Sequence, residues 1–241
     1  MTCKCSTNEH DHQPFPLEGQ QLAENMNLPL GVLREGIGPD QSTVYSYIVS
    51  SIRNQEGRFV QTGCGPNFQG DLITLCTCKG QMRTYRPYHA WKGIWIAGFT
   101  NLTAGGNRNA LVYLMKVLHS FESHFDLWYS AVIPEKSKQT KNACLNELGD
   151  VYEPKPESVQ DSQFNVQSYY APLRNHPHAA DDRWHEDIDY IGYPTGLRPA
   201  LLAGDPQYSF LWNKPVMFYP SRHPRTHKCK IDQLLAQLKM N

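Results

Sequence analysis

Two apolar runs, Ile94–Phe99 (IWIAGF) and Ala110–Leu118 (ALVYLMKVL), flank a stretch rich in Gly, Asn and Thr. That arrangement predicts two strands joined by a wide hairpin, and so a fold built on a sheet. Val44–Val49, with its β-branched and aromatic residues, predicts an earlier strand, and Leu72–Cys78 (LITLCTC) a short one ending at Lys79-Gly80. Gly63, Gly65, Pro66 and Gly70 mark a loop between them. Phe121, Phe125, Leu127 and Trp128 lie near helical spacing, with Ser120 as a candidate N-cap. Residues 134–175 read as mostly loop, with local order around Leu145–Tyr152. Leu201–Phe210 and Pro215–Phe218 read as a late strand region, and Ile231–Met240 as an amphipathic closing helix. Many short strands and few helices predict an α+β fold: a curled or barrel-like, mostly antiparallel sheet with peripheral helices. The domain plan is an N-terminal arm over 1–42, partly disordered with one helical piece near Gln20–Met26, then a domain over 43–220 and a C-terminal segment over 221–241.

At 241 residues the chain is long enough to bury a proper core. No stretch has the apolar length needed to span a bilayer, and the start, MTCKCSTNEHDH, lacks an apolar signal core, so no membrane partner and a cytoplasmic location are expected. The odd count of 7 cysteines, without framework spacing, argues against a disulfide scaffold.

The hairpin lies inside a window with no acidic residue from Asp71 to Glu122, which nonetheless carries Lys79, Arg83, Arg86, Lys92, Arg108 and Lys116. The chain as a whole is formally neutral, so this is a segregated positive field. Tyr85, Tyr88, Trp91, Trp95, Phe99 and Tyr113 are threaded through it. Cations attract phosphate and aromatic faces stack on bases, which points to nucleotide or nucleic-acid contact. Lys79, Arg83 and Arg86, at or just after a strand end, are the candidate phosphate grip; a solvated basic loop is the alternative. Trp91 or Tyr88 is the candidate stacking platform, and Trp95 reads as core. Neutral net charge disfavours sequence-blind coating of DNA but leaves a local site intact.

HPHAADDRWHEDIDY concentrates His176, His178, Asp181, Asp182, His185, Glu186, Asp187 and Asp189. His-x-His on an extended segment turns two imidazoles to one side, an arrangement open to a divalent metal; an acid/base pair of His178 with Asp189 and a plain solvated loop are the other readings. Cys3, Cys5, His10 and His12 could together reach one zinc, or belong to a tail. Cys76 and Cys78 alternate on the expected strand and read as a buried pair on one face. There is no P-loop, dinucleotide fingerprint or nucleophile elbow.

YSYIV at 45–49, TLCTCK at 74–79, Arg83, GIWIAGF at 93–99, LVYLMKV at 111–117, FESHFDLW at 121–128, GDVY at 149–152, the His176–His178 region and PALLAGDPQYSFLW at 199–212 follow one another in a recognisable order. In that order residues 44–218 resemble the nucleotide-modification-associated domain family of the second type, seen mainly in bacterial and phage settings linked to modified nucleic-acid bases. The strand order is also similar to the PUA, ASCH and EVE pseudobarrels that read modified bases. The resemblance implies that Lys79 and Arg83 are the family's basic pair, that Trp95 is its aromatic, and that Asp150 and Tyr152 form its Gly-Asp turn. The expected function is therefore binding of a nucleotide or modified nucleobase, in DNA or RNA, with polar readout from Asp150, Tyr152 and His178. The alternative is an enzyme acting on a nucleotide or base with His178 and Asp189 or Asp150 as acid/base groups. A purely structural partner protein is third.

Overall fold

The computed structural model describes residues 20–179, 183–190 and 192–240. The strands are β1 (Thr43–Val49), β2 (Ile52–Gln55), β3 (Arg58–Gln61), β4 (Thr74–Leu75), β5 (Trp95–Thr100), β6 (Leu111–Phe121), β7 (Leu201–Leu211), β8 (Met217–Phe218), β9 (Thr226–Lys230) and β10 (Lys239–Met240). The helices are α1 (Gln20–Glu24), α2 (Leu30–Ile37), α3 (Gly80–Arg83), α4 (His124–Tyr129), α5 (Glu135–Lys141), α6 (His185–Asp189) and α7 (Ile231–Gln237).

Six strands form one mixed sheet in the order β4-β7-β6-β5-β1-β9. Only β1 and β5 run parallel, with Val44 opposite Trp95; the other pairs are antiparallel. The expected hairpin is β5–β6, with Trp95 opposite Lys116 and an irregularity between Gly98 and Phe99. Gly98 is required there, because a Cβ would fall 2.3 Å from the Tyr113 ring. One face of the sheet, with Val44, Trp95, Ala97, Phe99 and Leu114, packs under Leu30 and Leu33 of α2 and Ile231, Leu234 and Leu235 of α7. The other face, with Tyr45, Tyr47, Ile96, Val112, Tyr113 and Met115, is covered by Phe68, Ile73, Leu75, Met82 and Trp91. A central strand buried on both faces must be apolar throughout, which is why IWIAGF shows no alternation. The α+β class and mostly antiparallel sheet are as expected. Among the described residues no pairing joins edge strand β4 to edge strand β9, so the sheet is open. No helix among them is long and apolar enough to cross a membrane.

Several elements differ from expectation. From Leu22 onward the arm is part of the core: Leu22 and Leu33 are wholly buried, Met26 bridges to Leu211, and Arg34 Nη2 donates to the Leu235 carbonyl at 2.7 Å. α2 was hidden by its two internal glycines, Gly31 and Gly36. β2 and β3 form a tight hairpin across Glu56-Gly57, both at positive φ (51° and 84°). The strand expected over Leu72–Cys78 shrinks to Thr74–Leu75, because the Cys76 amide donates to Asp150 Oδ2 at 3.1 Å. Cys76 and Cys78 consequently part company, with Cys76 buried in a satellite core and Cys78 half-buried on the main one. The N-cap of α4 is Ser123, whose Oγ accepts from the Asp126 amide, while Ser120 lies within β6.

Asp40 ties the described arm to the sheet. It accepts from Lys116 Nζ at 2.8 Å, from Trp95 Nε1 at 3.0 Å and from the Ser42 amide at 2.6 Å. Burial raises its pKa, but the bonds from Lys116, Ser42 and Trp95 outweigh that and hold the carboxyl well below its ordinary range. A folded pKa below the unfolded one gives stability that is fully present above about pH 4 and lost as pH falls from there toward the folded value. Asp40→Asn should therefore cost about 1–3 kcal/mol at neutral pH. It should also flatten the fall in stability between about pH 4 and pH 2, measured by urea denaturation across that range. An unchanged acid limb would mean that the pairing carries no net stability.

Candidate functional site

The first acid-free window does not act as one grip. Arg83 closes α3 and is wholly buried: Nε donates to the Cys78 carbonyl at 2.8 Å, Nη2 to Thr77 at 2.9 Å, and Nη1 to Ala200 at 2.7 Å and Pro199 at 3.4 Å. Its guanidinium staples the end of the β4 segment to the start of β7, and among the described residues it pairs with no carboxylate. A donor set committed to carbonyls is not available to a phosphate at the surface, so the expected role of Arg83 is corrected to a structural one. Trp91 is also wholly buried, with its ring 5.2 Å from Tyr45 and Nε1 donating to the Arg86 carbonyl, and it offers no stacking face.

Lys79, Arg86 and Tyr88 remain near the surface. Lys79 Nζ stands 5.0 Å over the Tyr47 ring. Arg86 Nε donates to Tyr45 Oη at 3.2 Å and its Cζ lies 5.8 Å from that ring. Tyr88 is exposed, on a 3₁₀ turn held by Ser120 Oγ donating to its carbonyl. The sequence reading missed a second acid-free stretch, from Asp205 to Asp232, with Lys214, Arg222, Arg225, Lys228 and Lys230. Its last part forms edge strand β9, where Lys228 stands opposite Tyr45 and Lys230 opposite Thr43. Strand alternation puts these lysines on the face that carries Tyr45 and Tyr47. Lys228 Nζ lies 5.7 Å from the Tyr45 ring, so cations from both windows flank one tyrosine.

A separate chain of ionisable side chains is buried around α6. His178 Nδ1 and Asp187 Oδ2 are 2.5 Å apart, and Tyr152 Oη donates to the same carboxylate oxygen at 3.0 Å. His176 Nε2 meets the Gly149 carbonyl at 2.7 Å, and its Nδ1 accepts from the His178 amide at 3.1 Å. The partner of His178 is thus Asp187 rather than Asp189. Both lie on α6, but two helical positions are about 200° apart, so the two carboxylates point to different sides. Asp189 contributes its carbonyl, which accepts from Arg198 Nη1 at 2.7 Å. Burial raises the Asp187 pKa, opposed by the charge and hydrogen bond of His178. Next to this chain, Cys64 is buried between Gly63 and Gly65, with Sγ 3.5 Å from Thr77 Oγ1. A hydrogen bond from Cys78, together with the charges of His178 and His176, outweighs burial and holds the Cys64 thiol well below its usual range.

Asp150 faces inward: Oδ1 accepts from Thr74 Oγ1 at 2.7 Å and Oδ2 from the Cys76 amide. Burial pushes its pKa up to about 6, against the pull of Lys141. Lys141 is itself buried and brought down to about 8, and it donates to the Gln69 carbonyl at 2.8 Å and to Asn67 Oδ1 at 3.1 Å. Asp150 and Lys141 brace the 67–76 segment from inside rather than face a ligand. Tyr152 is likewise wholly buried, so its contribution is to Asp187 and not to surface readout.

Cys3, Cys5, His10, His12, Asp181 and Asp182 lie outside the described residues. Among the described residues no three His, Cys, Asp or Glu side chains are placed to hold a metal ion. No family model, curated protein or solved structure matches the chain.

Proposed function

We propose that the chain binds a nucleotide or a modified nucleobase carried in a nucleic-acid strand, on the β1–β9 face around Tyr45. The observation that carries this reading is the convergence of Arg86 and Lys228, from two acid-free stretches far apart in the chain, on one tyrosine ring. Lys79 over Tyr47 and Lys230 opposite Thr43 extend the same face. Cations spaced along an edge strand suit successive phosphates, and the exposed Tyr85 and Tyr88 rings offer faces for bases. The likeness to base-reading pseudobarrels belongs to this proposal, with the β9 edge and the exposed Tyr85 and Tyr88 rings as the platform.

Arg86→Ala combined with Lys228→Ala should weaken binding of a labelled single-stranded oligonucleotide and lower the slope of log affinity against log salt by about 1 per lost phosphate contact. Fluorescence anisotropy across a salt series measures both. An affinity and slope equal to wild type would remove the face from the site.

A second reading rests on a separate observation, the buried Tyr152–Asp187–His178 chain. A carboxylate that orients an imidazole is the arrangement of a general acid or base, so the bound base or nucleotide would also be a substrate.

A further inference from the structure

The buried cluster contains two thiols that neither reading uses. Neither Cys64 nor Cys78 is in a disulfide, and Cys64 Sγ lies 3.5 Å from Oγ1 of Thr77, the residue before Cys78. The loop that carries Cys64 packs directly on the Cys78 side chain: a Cβ placed on Gly65, the next residue, would lie 2.9 Å from both Cβ and Sγ of Cys78. No side chain at position 65 fits between this loop and Cys78. The two sulfurs differ in access, since Cys64 is buried and Cys78 is half-exposed beside Lys79. They also differ in surroundings, since the His176 and His178 imidazoles both act on Cys64.

We propose that Cys64 and Cys78 form a redox-active dithiol that closes to a disulfide in exchange with a small aliphatic disulfide such as glutathione disulfide. Access assigns the order of events. The Cys78 thiolate attacks one sulfur of glutathione disulfide, forming a mixed disulfide and releasing one glutathione thiolate, which takes up the Cys78 proton. The Cys64 thiolate then attacks the Cys78 sulfur, forming the Cys64–Cys78 bond and expelling the second glutathione thiolate, which takes up the Cys64 proton. Two protein thiols are oxidised and one glutathione disulfide is reduced to two thiols. Imidazoles beside Cys64 favour the second step, because a resolving thiol reacts as its thiolate. The inference stands independently of any ligand on the β1–β9 face.

The test incubates the full-length folded protein with glutathione disulfide, blocks remaining thiols with an alkylating agent, and maps the products by mass spectrometry. One tryptic peptide, Phe59–Lys79, holds Cys64, Cys76 and Cys78, so chymotryptic cleavage after Phe68 is added to separate Cys64 from the other two. Wild type is expected to give the Cys64–Cys78 cross-link. Cys64→Ser should stall at a glutathione adduct on Cys78, accumulating about tenfold or more over wild type. Cys78→Ser should leave Cys64 without an adduct, and Cys76→Ser should cross-link like wild type. Circular dichroism confirms that each variant is folded, and wild type with Cys76→Ser decides the matter if either of the other two is not. A Cys76–Cys78 bond, a Cys64 that stays reduced, or equal adducts on all cysteines overturns the proposal.

Discussion

Arg83→Ala is expected to destabilise the fold by about 3–5 kcal/mol, the order expected when several buried carbonyls lose a shared charged donor at about 1–3 kcal/mol each. The guanidinium is the donor to carbonyls of Thr77, Cys78, Pro199 and Ala200, and its loss leaves four acceptors in an interior that water does not reach. The Ala200 amide donates back to the Arg83 carbonyl at 3.3 Å, so the same contact joins the two segments twice. At roughly 2–4 °C per kcal/mol for a chain of this size, the melting temperature should fall by about 10 °C or more. Arg83→Lys should recover only part of the loss, because one ammonium cannot span acceptors on both segments as a planar fork does. Thermal and urea denaturation of both variants measure this. A melting temperature within about 2 °C of wild type would show that the carbonyls are satisfied without Arg83.

Arg83 also shows where sequence reading stops. Its neighbours in the chain, Lys79 and Arg86, hold the surface positions that a basic run predicts. What turns Arg83 inward is the start of β7, more than a hundred residues later, whose carbonyls no local pattern reveals. The hairpin of β5 and β6 was legible because it depends on apolar residues close together in sequence. The lysines of β9 were legible in principle, as a second stretch without acids, but only the antiparallel register opposite β1 puts them beside Tyr45. The His-rich segment was recognisable as chemistry-bearing. The choice of Asp187 over Asp189 depends on a single helical turn, α6, whose phase relative to His178 is set by tertiary packing. Cys64 was visible only as a residue between two glycines. Its contact with Cys78 follows from the fold of the loop that runs back against β4, and nothing in Gly-Cys-Gly spells that out.

The largest functional effect is expected at His178 and Asp187. If the pair transfers a proton to or from a bound base or nucleotide, His178→Gln should lower turnover by about 10²–10⁴-fold and leave ground-state binding nearly intact. Asp187→Asn should fall in the same range, because an amide keeps the volume but removes the charge that orients and balances the imidazole. Tyr152→Phe deletes one neutral donor to that carboxylate and should cost roughly tenfold or less. Asp189→Asn is the internal control: its side chain lies on another side of α6 and the variant should match wild type. Nucleotides and modified oligonucleotides incubated with each protein, followed by mass spectrometry of the products, give turnover; anisotropy gives binding. Loss of turnover with binding kept, at His178 and Asp187 but not at Asp189, identifies an enzyme whose acid/base group is the Asp187-bound imidazole. A pure reader has a different signature. Wild type shows no turnover, and His178→Gln shifts affinity or base preference by about fivefold, the value of one hydrogen bond. Equal behaviour of all variants in both assays would leave the pair as internal bracing, like Asp150 and Lys141, and the ligand face as a surface that works without it.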